Sequence, residues 1–458
     1  MCVQLSFKRP DLAVFFVILW SMDKRDRIER YAKDRPTFEW PSDVKSKKEY
    51  RDRIARPLAK LIVSSGRADN LFWVGNALMQ VRDTQDGPRA FYLTHEERTQ
   101  VIRKSVYVHA DHVDDYKTIY VSGKVRGGVI RELVRRLPEL NGISPHPIVT
   151  PSGDIVVEDG YNDETGIYVT GCSSMFEHLD YDERGEMFTT DVNLAKRWLH
   201  LLCGHRTFRS KADESRYVAS ILTAVMRSCF GAAPLIYSKN YFDGAQSPIA
   251  KEIIGLLQGF VSYPSYAFNA NGVMSDFSKQ RQQGDTVISI DTSRDPRIED
   301  SLREFLTYTY HRHHKDQWIK IDGTRNVCTV VSSSKRVSVN NLRGLVLPVL
   351  QGWSDVDDPY LTSAWWVKQS HHSGTGSILF EPVRYTSRTG RVSDYSFDLY
   401  RSDVFVVALT LIRSWQRFGQ PAPTTPSAFD PALDEWYYYV AGVLEHAGYT
   451  SISNDIAI

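Results

Sequence analysis

The sequence predicts an α/β protein whose second half is built on short buried strands alternating with helices. Three observations carry that expectation. Thr286-Val287-Ile288-Ser289-Ile290 is a continuous buried-strand pattern ending in Asp291, as expected of a strand covered on both faces. Pro234-Leu235-Ile236-Tyr237, a Gly/Ser/Pro loop and an apolar helical stretch from Ile249 to Phe260 follow one another, the βα half of a parallel-sheet unit. Ahead of them, Val218, Ile221, Leu222 and Val225 recur at helical spacing within 213–229.

A chain of 458 residues with 42% hydrophobic and 24% charged residues holds two or three domains, each with a core, and is not of a disordered class. The reading divides it into a charged leader (1–60), a mixed α+β domain (61–182), an α/β domain (183–355) and a mainly helical domain (356–458). Lys plus Arg number 56 against 55 Asp plus Glu, so no global field draws the protein to nucleic acid or anionic lipid. Contact with DNA must come from local patches. Met22 to Lys60 is one candidate, with 13 basic and 8 acidic residues; a solvated helix face of mixed charge is the alternative.

The five cysteines, Cys2, Cys172, Cys203, Cys229 and Cys328, form no Cys-x-x-Cys pair. Their odd, low number argues against a disulfide framework and a structural zinc, and fits a reducing, cytoplasmic setting. Leu12 to Trp20 is strongly apolar but far too short to span a hydrocarbon core of roughly 30 Å. It follows Lys8 and Arg9 without a small-residue cleavage site, and Met22 then opens a charged helical segment as a candidate start. No membrane partner is expected.

Along the chain, 70–74 and 77–81 read as strands joined by Gly75-Asn76. Thr94 N-caps a helix with Glu97 three residues on. Val129, Ile130, Leu133, Val134 and Leu137 share one helical face, with Arg131, Arg135 and Arg136 opposite. PIVTPSGDIVVEDGYNDETGIYV (147–169) alternates strands with turns. Helices are expected over 194–202 and 213–229. Trp318–Ile321 and Val327–Val331 flank Asp322-Gly323, a hairpin signal, and Val346–Leu350 reads as a strand. From Val404 the chain is helical, broken by the Pro-rich 420–426.

This order, with the phrases PIVTPSGDIVVEDGYNDETGIYV, ADESRYVASILTAVMR (212–227) and VFVVALTLIRSWQRFGQPAP…DEWYYYVAGVLEHAGY (404–423 and 434–449), resembles the phage and mobile-element primase–helicases of the AAA+, superfamily-three kind. The resemblance covers roughly 65–448 and implies a P-loop core. There, Gly-x-x-x-x-Gly-Lys-[Ser/Thr] closes backbone amides and a lysine on the phosphates and holds Mg²⁺ through the hydroxyl. The matching loop is Asp243-Gly244-Ala245-Gln246-Ser247-Pro248. Its second glycine is Ala245, its lysine is Gln246, and Ser247 alone keeps its type. No Gly-Lys-[Ser/Thr] occurs anywhere in the chain.

Lys251, about one turn along the next helix, is the one conceivable substitute, although an ordinary surface lysine of a helix is the preferred explanation. The Walker B position falls on Asp291, followed by Thr292 and Ser293 where the family places a second polar or acidic residue. An aspartate ending a strand is also an ordinary turn residue. The sensor strand, Cys328–Ser334, lacks the asparagine the family carries near Ser333–Lys335. The arginine completing a neighbour's site falls at Leu345, with Arg343 nearby. Losing such a finger costs on the order of 10³–10⁵ in rate. The resemblance therefore implies a pseudo-ATPase with no cofactor and no catalytic residue.

DNA would meet the hairpin that precedes the sensor strand, through Lys315, Lys320 and Arg325. His311, Arg312, His313 and His314 approach it, but consecutive histidines converge poorly on one ion. His109–Asp115, His371-His372 and the acidic Glu158, Asp159, Asp163 and Glu164 read as surface loops rather than metal or primase centres. The expectation is an inactive helicase-like factor of a phage or mobile element, binding DNA or a replication partner. Two alternatives stand beside it. One is a protein–protein scaffold or self-assembling subunit, using segments such as Trp365-Trp366 and Trp436–Tyr439. The other is a divergent DNA-dependent ATPase using Lys251 and Asp291.

Overall fold

The computed structural model describes residues 37–39, 46–64, 70–74, 77–84, 87–105, 107–109, 123–176, 192–203, 208, 210–239, 247–259, 265–266, 284–291, 309–314, 317–322, 328–333, 344–349, 383–386, 392–395 and 397–453. The chain divides into two units. One comprises 1–73, 77–80 and 92–138; the other 74–76, 81–91 and 139–458.

In the first unit, β1 (Thr37–Glu39) pairs in parallel with β5 (Tyr107–His109). A helical segment, α1, is α-helical over Lys47–Tyr50, π-helical over Arg51–Ala55 and α-helical again over Arg56–Ser64. Its apolar residues Ile54, Ala55, Leu58, Ala59 and Ile62 are buried. They share a cluster with Val129 and Leu133 of α3 (Gly123–Val134) and with Leu137 just beyond it, while Arg131, Arg135 and Arg136 are exposed. Gly128 permits this approach, because a Cβ there would lie 3.1 Å from the Tyr50 ring. Between them, α2 (His95–Ser105) starts with the reciprocal box expected: Thr94 N–H donates to Glu97 at 2.7 Å and Glu97 N–H to Thr94 Oγ1 at 3.2 Å. The chain also forms the strands β2 (Leu71–Val74), β3 (Ala77–Thr84) and β4 (Gly87–Tyr92).

The second unit opens with small strands: β6 (Gly142–Ser144), β7 (Ile148–Val149), β8 (Ile155–Val156), β9 (Gly160–Asn162) and β10 (Ile167–Val169). β7 pairs with β8 and β9 with β10, both antiparallel, and β6 joins β10 in parallel. Asp159 then caps the short α4 (Cys172–Met175) by accepting from the Cys172 and Ser173 amides at 2.8 and 3.2 Å. Glu164 accepts from Ser152 N–H and Oγ–H at 2.7 and 2.8 Å. Both acids of this loop serve turns, as turn chemistry predicts.

The core is a mixed α/β arrangement around a parallel sheet. After α5 (Val192–Cys203) and α6 (Lys211–Val225) come β11 (Leu235–Lys239), α7 (Pro248–Gln258), β12 (Ser265–Tyr266) and β13 (Val287–Asp291). With β16 (Cys328–Ser333) and β17 (Val346–Pro348) the strands stand in the order β12-β13-β16-β11-β17, every neighbour parallel. Ile236, Ile288, Val330 and Leu347 are completely buried, which is why these strands read as apolar runs. α8 (Phe397–Arg417) and α9 (Asp434–His446) pack on each other and on α5 and α6. Trp436 Nε1–H reaches Thr223 Oγ1 at 2.9 Å.

One expected pairing is corrected. The hairpin was placed about Asp322-Gly323, between Trp318–Ile321 and Val327–Val331. Instead β14 (Thr309–His314) pairs antiparallel with β15 (Gln317–Asp322) across the two residues Lys315-Asp316. β16 is taken by the central sheet because Cys328, Thr329, Val330 and Val331 are buried there. A further hairpin joins β18 (Val383–Thr386) and β19 (Val392–Tyr395). Among the described residues no helix is long and apolar enough to cross a membrane.

Candidate functional site

Because every sheet neighbour is parallel, the carboxyl ends of β11, β13, β16 and β17 lie along one edge. The chain leaves β11 through α7 toward β12 on one side, and returns at last to β17 on the other. In α/β sheets ligands bind at the carboxyl ends of the strands, where the direction of connection switches. The loop expected to meet phosphate leaves this edge, and Asp291 ends β13 on it. Asp291 is in register with Ser332 of β16, so β16 separates it from β11 by two strand spacings, about 10 Å.

Ser247 is the residue of the loop match that the structure describes. It is not in the helix but caps it. Its backbone is extended (φ −61°, ψ 126°), and Oγ accepts from the Ala250 amide at 3.4 Å. The same oxygen is 2.6 Å from Ser238 Oγ on β11, in a buried pair of hydroxyls. Pro248 at the first helical position has no N–H, and the Lys251 amide donates to the Ser247 carbonyl at 3.1 Å. Of the amides that would face an anion at a helix start, Pro248 supplies none and that of Ala250 is taken by Ser247. Lys251 is exposed on α7. Its neighbour Glu252 accepts from Tyr217 Oη at 2.6 Å.

Gly244, Ala245, Gln246, Lys315 and Arg325 lie outside the described residues. Lys320 lies in β15 opposite His311 of β14. Trp365-Trp366, His371-His372 and 110–115 also fall outside. Of the aromatic run, Trp436 and Tyr437 are core and Tyr438 alone is exposed. Among the described residues no group of three His, Cys, Asp or Glu side chains is placed to hold a metal.

At the amino end of β13 lies a cavity of about 150 Å³ lined by Arg89, Asp285, Thr286, Gln258 and Arg401, among others. Its polar walls answer one another. Arg89 and Asp285 form an ion pair, and Gln258 donates to the Val287 carbonyl at 2.9 Å. Arg401 donates to the Leu256 carbonyl at 2.6 Å and also to Pro145, satisfying the C-terminus of α7. His146 is buried behind it, stacked on Phe405. Its Nδ1 is 2.9 Å from the Pro147 carbonyl, so Nδ1 carries the proton. Burial, and then the Arg401 charge, push its pKa down to about 4. Burial likewise pushes the Cys172, Cys229 and Cys328 thiols up to about 12, so none supplies a thiolate at neutral pH.

Sequence reasoning missed Arg216, Arg401 and His146. A charged residue inside an apolar helical pattern, as in ESRYVASIL, was the available signal for Arg216. No family model matches the chain, and no curated protein matches it.

Proposed function

We propose that this chain is a non-hydrolysing, helicase-like protein of the phage and mobile-element primase–helicase type, and that it holds DNA or a replication partner as an accessory factor. The observation that carries the reading is the closed start of α7. Ser247 takes the Ala250 amide, Pro248 offers none, and the preceding residue is Gln246 where the family needs a cation. A triphosphate would find neither the ammonium, where Gln246 stands, nor two of the amides at the start of α7 that offset its charge. The parallel sheet, with this loop and Asp291 leaving one edge, supports descent from a P-loop core.

Calorimetry with ATP and Mg²⁺ tests the nucleotide half, and no heat of binding is expected. Steady phosphate release abolished by Asp291→Asn would instead support the divergent-ATPase reading. Gel shifts at low salt with Lys320→Ala, in β15, and Arg325→Ala, beyond it in sequence, test the DNA half. Weaker, salt-sensitive binding is expected, and no binding by the unaltered chain would remove it.

A further inference from the structure

We infer that the first unit carries its own phosphate-binding surface, a basic face formed where α1 and α3 meet, and that its ligand is a nucleic-acid backbone. The inference is separate from the sheet edge and from Lys315, Lys320 and Arg325. It begins with one buried carboxylate. Glu132 on α3 is ion-paired with three arginines: Arg51 Nε at 2.7 Å, Arg135 Nη1 at 3.2 Å and Arg56 Nε at 3.7 Å. Burial raises the Glu132 pKa, but the hydrogen bond and charge of Arg51, with Arg135 and Arg56, overcome it and hold the acid below its ordinary range. Glu132 is therefore an anion that fixes three guanidinium groups.

Those groups are not used up. Each guanidinium has five N–H donors, and one carboxylate offers two oxygens. The side chains of Arg51, Arg56 and Arg135 stay 45%, 47% and 60% exposed while that of Glu132 is 7% exposed. Lys60, one turn beyond Arg56, and Arg131, one turn before Arg135, are exposed as well, and residues four apart share a helix face. Against these five cations stand Glu132 and Asp52, the latter paired to Arg56 at 2.9 Å. The face keeps an excess of three positive charges in a chain whose net charge is +1.

Planar, pre-positioned forks favour phosphate oxygens over a diffuse cloud of counterions. Nucleic acid is favoured over an anionic bilayer because lipid docking also needs apolar anchors. Among the described residues no large apolar side chain of α1 or α3 is exposed: Leu58, Ala59, Ile62, Val129 and Leu133 are buried, and Leu61, Val63 and Ile130 are partly buried against the same cluster. No base-reading groups are implied, so the surface would grip the backbone without sequence preference.

The test uses the full chain and a labelled single-stranded oligonucleotide, titrated between about 50 and 200 mM salt. Replacing Arg51, Arg56 or Arg135 would strip Glu132 of a partner, so the probe is the double variant Lys60→Ala/Arg131→Ala, which touches neither Glu132 nor the core. Its melting temperature should match that of the unaltered chain. Its log K against log salt slope should be shallower by about 1.4, two contacts at roughly 0.7 each. The companion variant Lys320→Ala/Arg325→Ala separates the two surfaces. Loss on the first variant upholds this inference, whatever the second does. Unchanged affinity and slope on the first overturns it, even if the second abolishes binding and so leaves the proposed function standing. Binding to phosphatidylserine vesicles that the first variant removes, without oligonucleotide binding, also overturns it.

Discussion

Two sets of arginines, one in each unit, meet opposite fates, and the difference separates scaffolding from surface. In the second unit, Arg216 is 1% exposed. It donates through Nε to the Ile452 carbonyl at 3.1 Å and through Nη1 to Asp213 at 3.0 Å. Arg227 donates to Phe230 and Gly231 at 2.7 and 3.1 Å. Arg401 holds the carbonyls that end α7. Each is buried, and its donors turn inward onto backbone oxygens and, for Arg216, also onto the Asp213 carboxylate. In the first unit, three arginines share Glu132 and keep about half of each side chain in solvent. Buried arginines fasten distant segments of chain, whereas half-exposed ones, fixed from below, can accept a ligand from above.

The comparison breaks most visibly at Arg216. Arg216→Met leaves Asp213 buried beside Ser210 without its cation and frees the tail at Ile452. Removing one partner of a buried pair costs about 3–5 kcal/mol, read as a lowered denaturation midpoint. Oligonucleotide affinity should be untouched in whatever fraction remains folded. If Arg216→Met melts like the unaltered chain, the tail is not anchored as described. Adding Asp213→Leu should recover part of the loss, because the uncompensated charge is then gone.

His146 sharpens the same contrast by asking what a second buried cation would cost. Unfolded, its imidazole takes up a proton near 6.5; folded beside Arg401, only near 4. Between those values the unfolded chain binds more protons, so stability falls as pH drops from about 6.5 toward 4. At 1.36 kcal/mol per unit the loss is on the order of 3 kcal/mol. It is nearly complete at the lower end and absent above neutrality. His146→Gln should flatten this part of the stability–pH curve relative to the unaltered chain. Parallel curves would mean that the histidine is not buried neutral.

These arginines also show where a sequence stops being informative. Local features were legible: the Thr94–Glu97 box, the apolar faces of α3 and α6, and the runs that became β11, β13 and β16. Each depends on neighbours a few residues apart. Asp213, the ion-pair partner of Arg216, is three residues away, but its other partner, the Ile452 carbonyl, is 236 residues away, and nothing near Ser215 or Tyr217 announces that one. The hairpin failed for a related reason. Asp322-Gly323 is a stronger local turn signal than Lys315-Asp316, yet Cys328–Val331 is worth more buried in the central sheet than paired with β15. At the candidate site the missing lysine was legible because it is an identity, while the capping of α7 by Ser247 is a matter of geometry.

Glu132 gives a smaller effect with opposite signs on two measurements. Glu132→Gln keeps an acceptor for Arg51 but removes the charge, and should cost about 1.5–3 kcal/mol, the usual range for hydrogen bonds to charged groups. The same substitution raises the excess on the basic face from three to four, so oligonucleotide affinity at low salt should rise. A variant that is less stable but grips DNA harder fits no purely structural role for the arginines. Loss of both stability and affinity would mean that positioning by Glu132 outweighs the charge it cancels.

The smallest effect extends the counting of donors from side chains to backbone. Ser247→Ala removes the acceptor for the Ala250 amide and breaks the 2.6 Å contact with Ser238. Losing such a cap costs about 1 kcal/mol. In a working phosphate loop the hydroxyl at this position holds Mg²⁺, and its loss would fall on nucleotide affinity rather than on folding. Here the whole effect should appear in the denaturation midpoint, and calorimetry with ATP and Mg²⁺ should be as silent as before. Were the variant as stable as its parent yet altered in nucleotide binding, Ser247 would be a ligand-facing residue, and α7 would start open rather than closed.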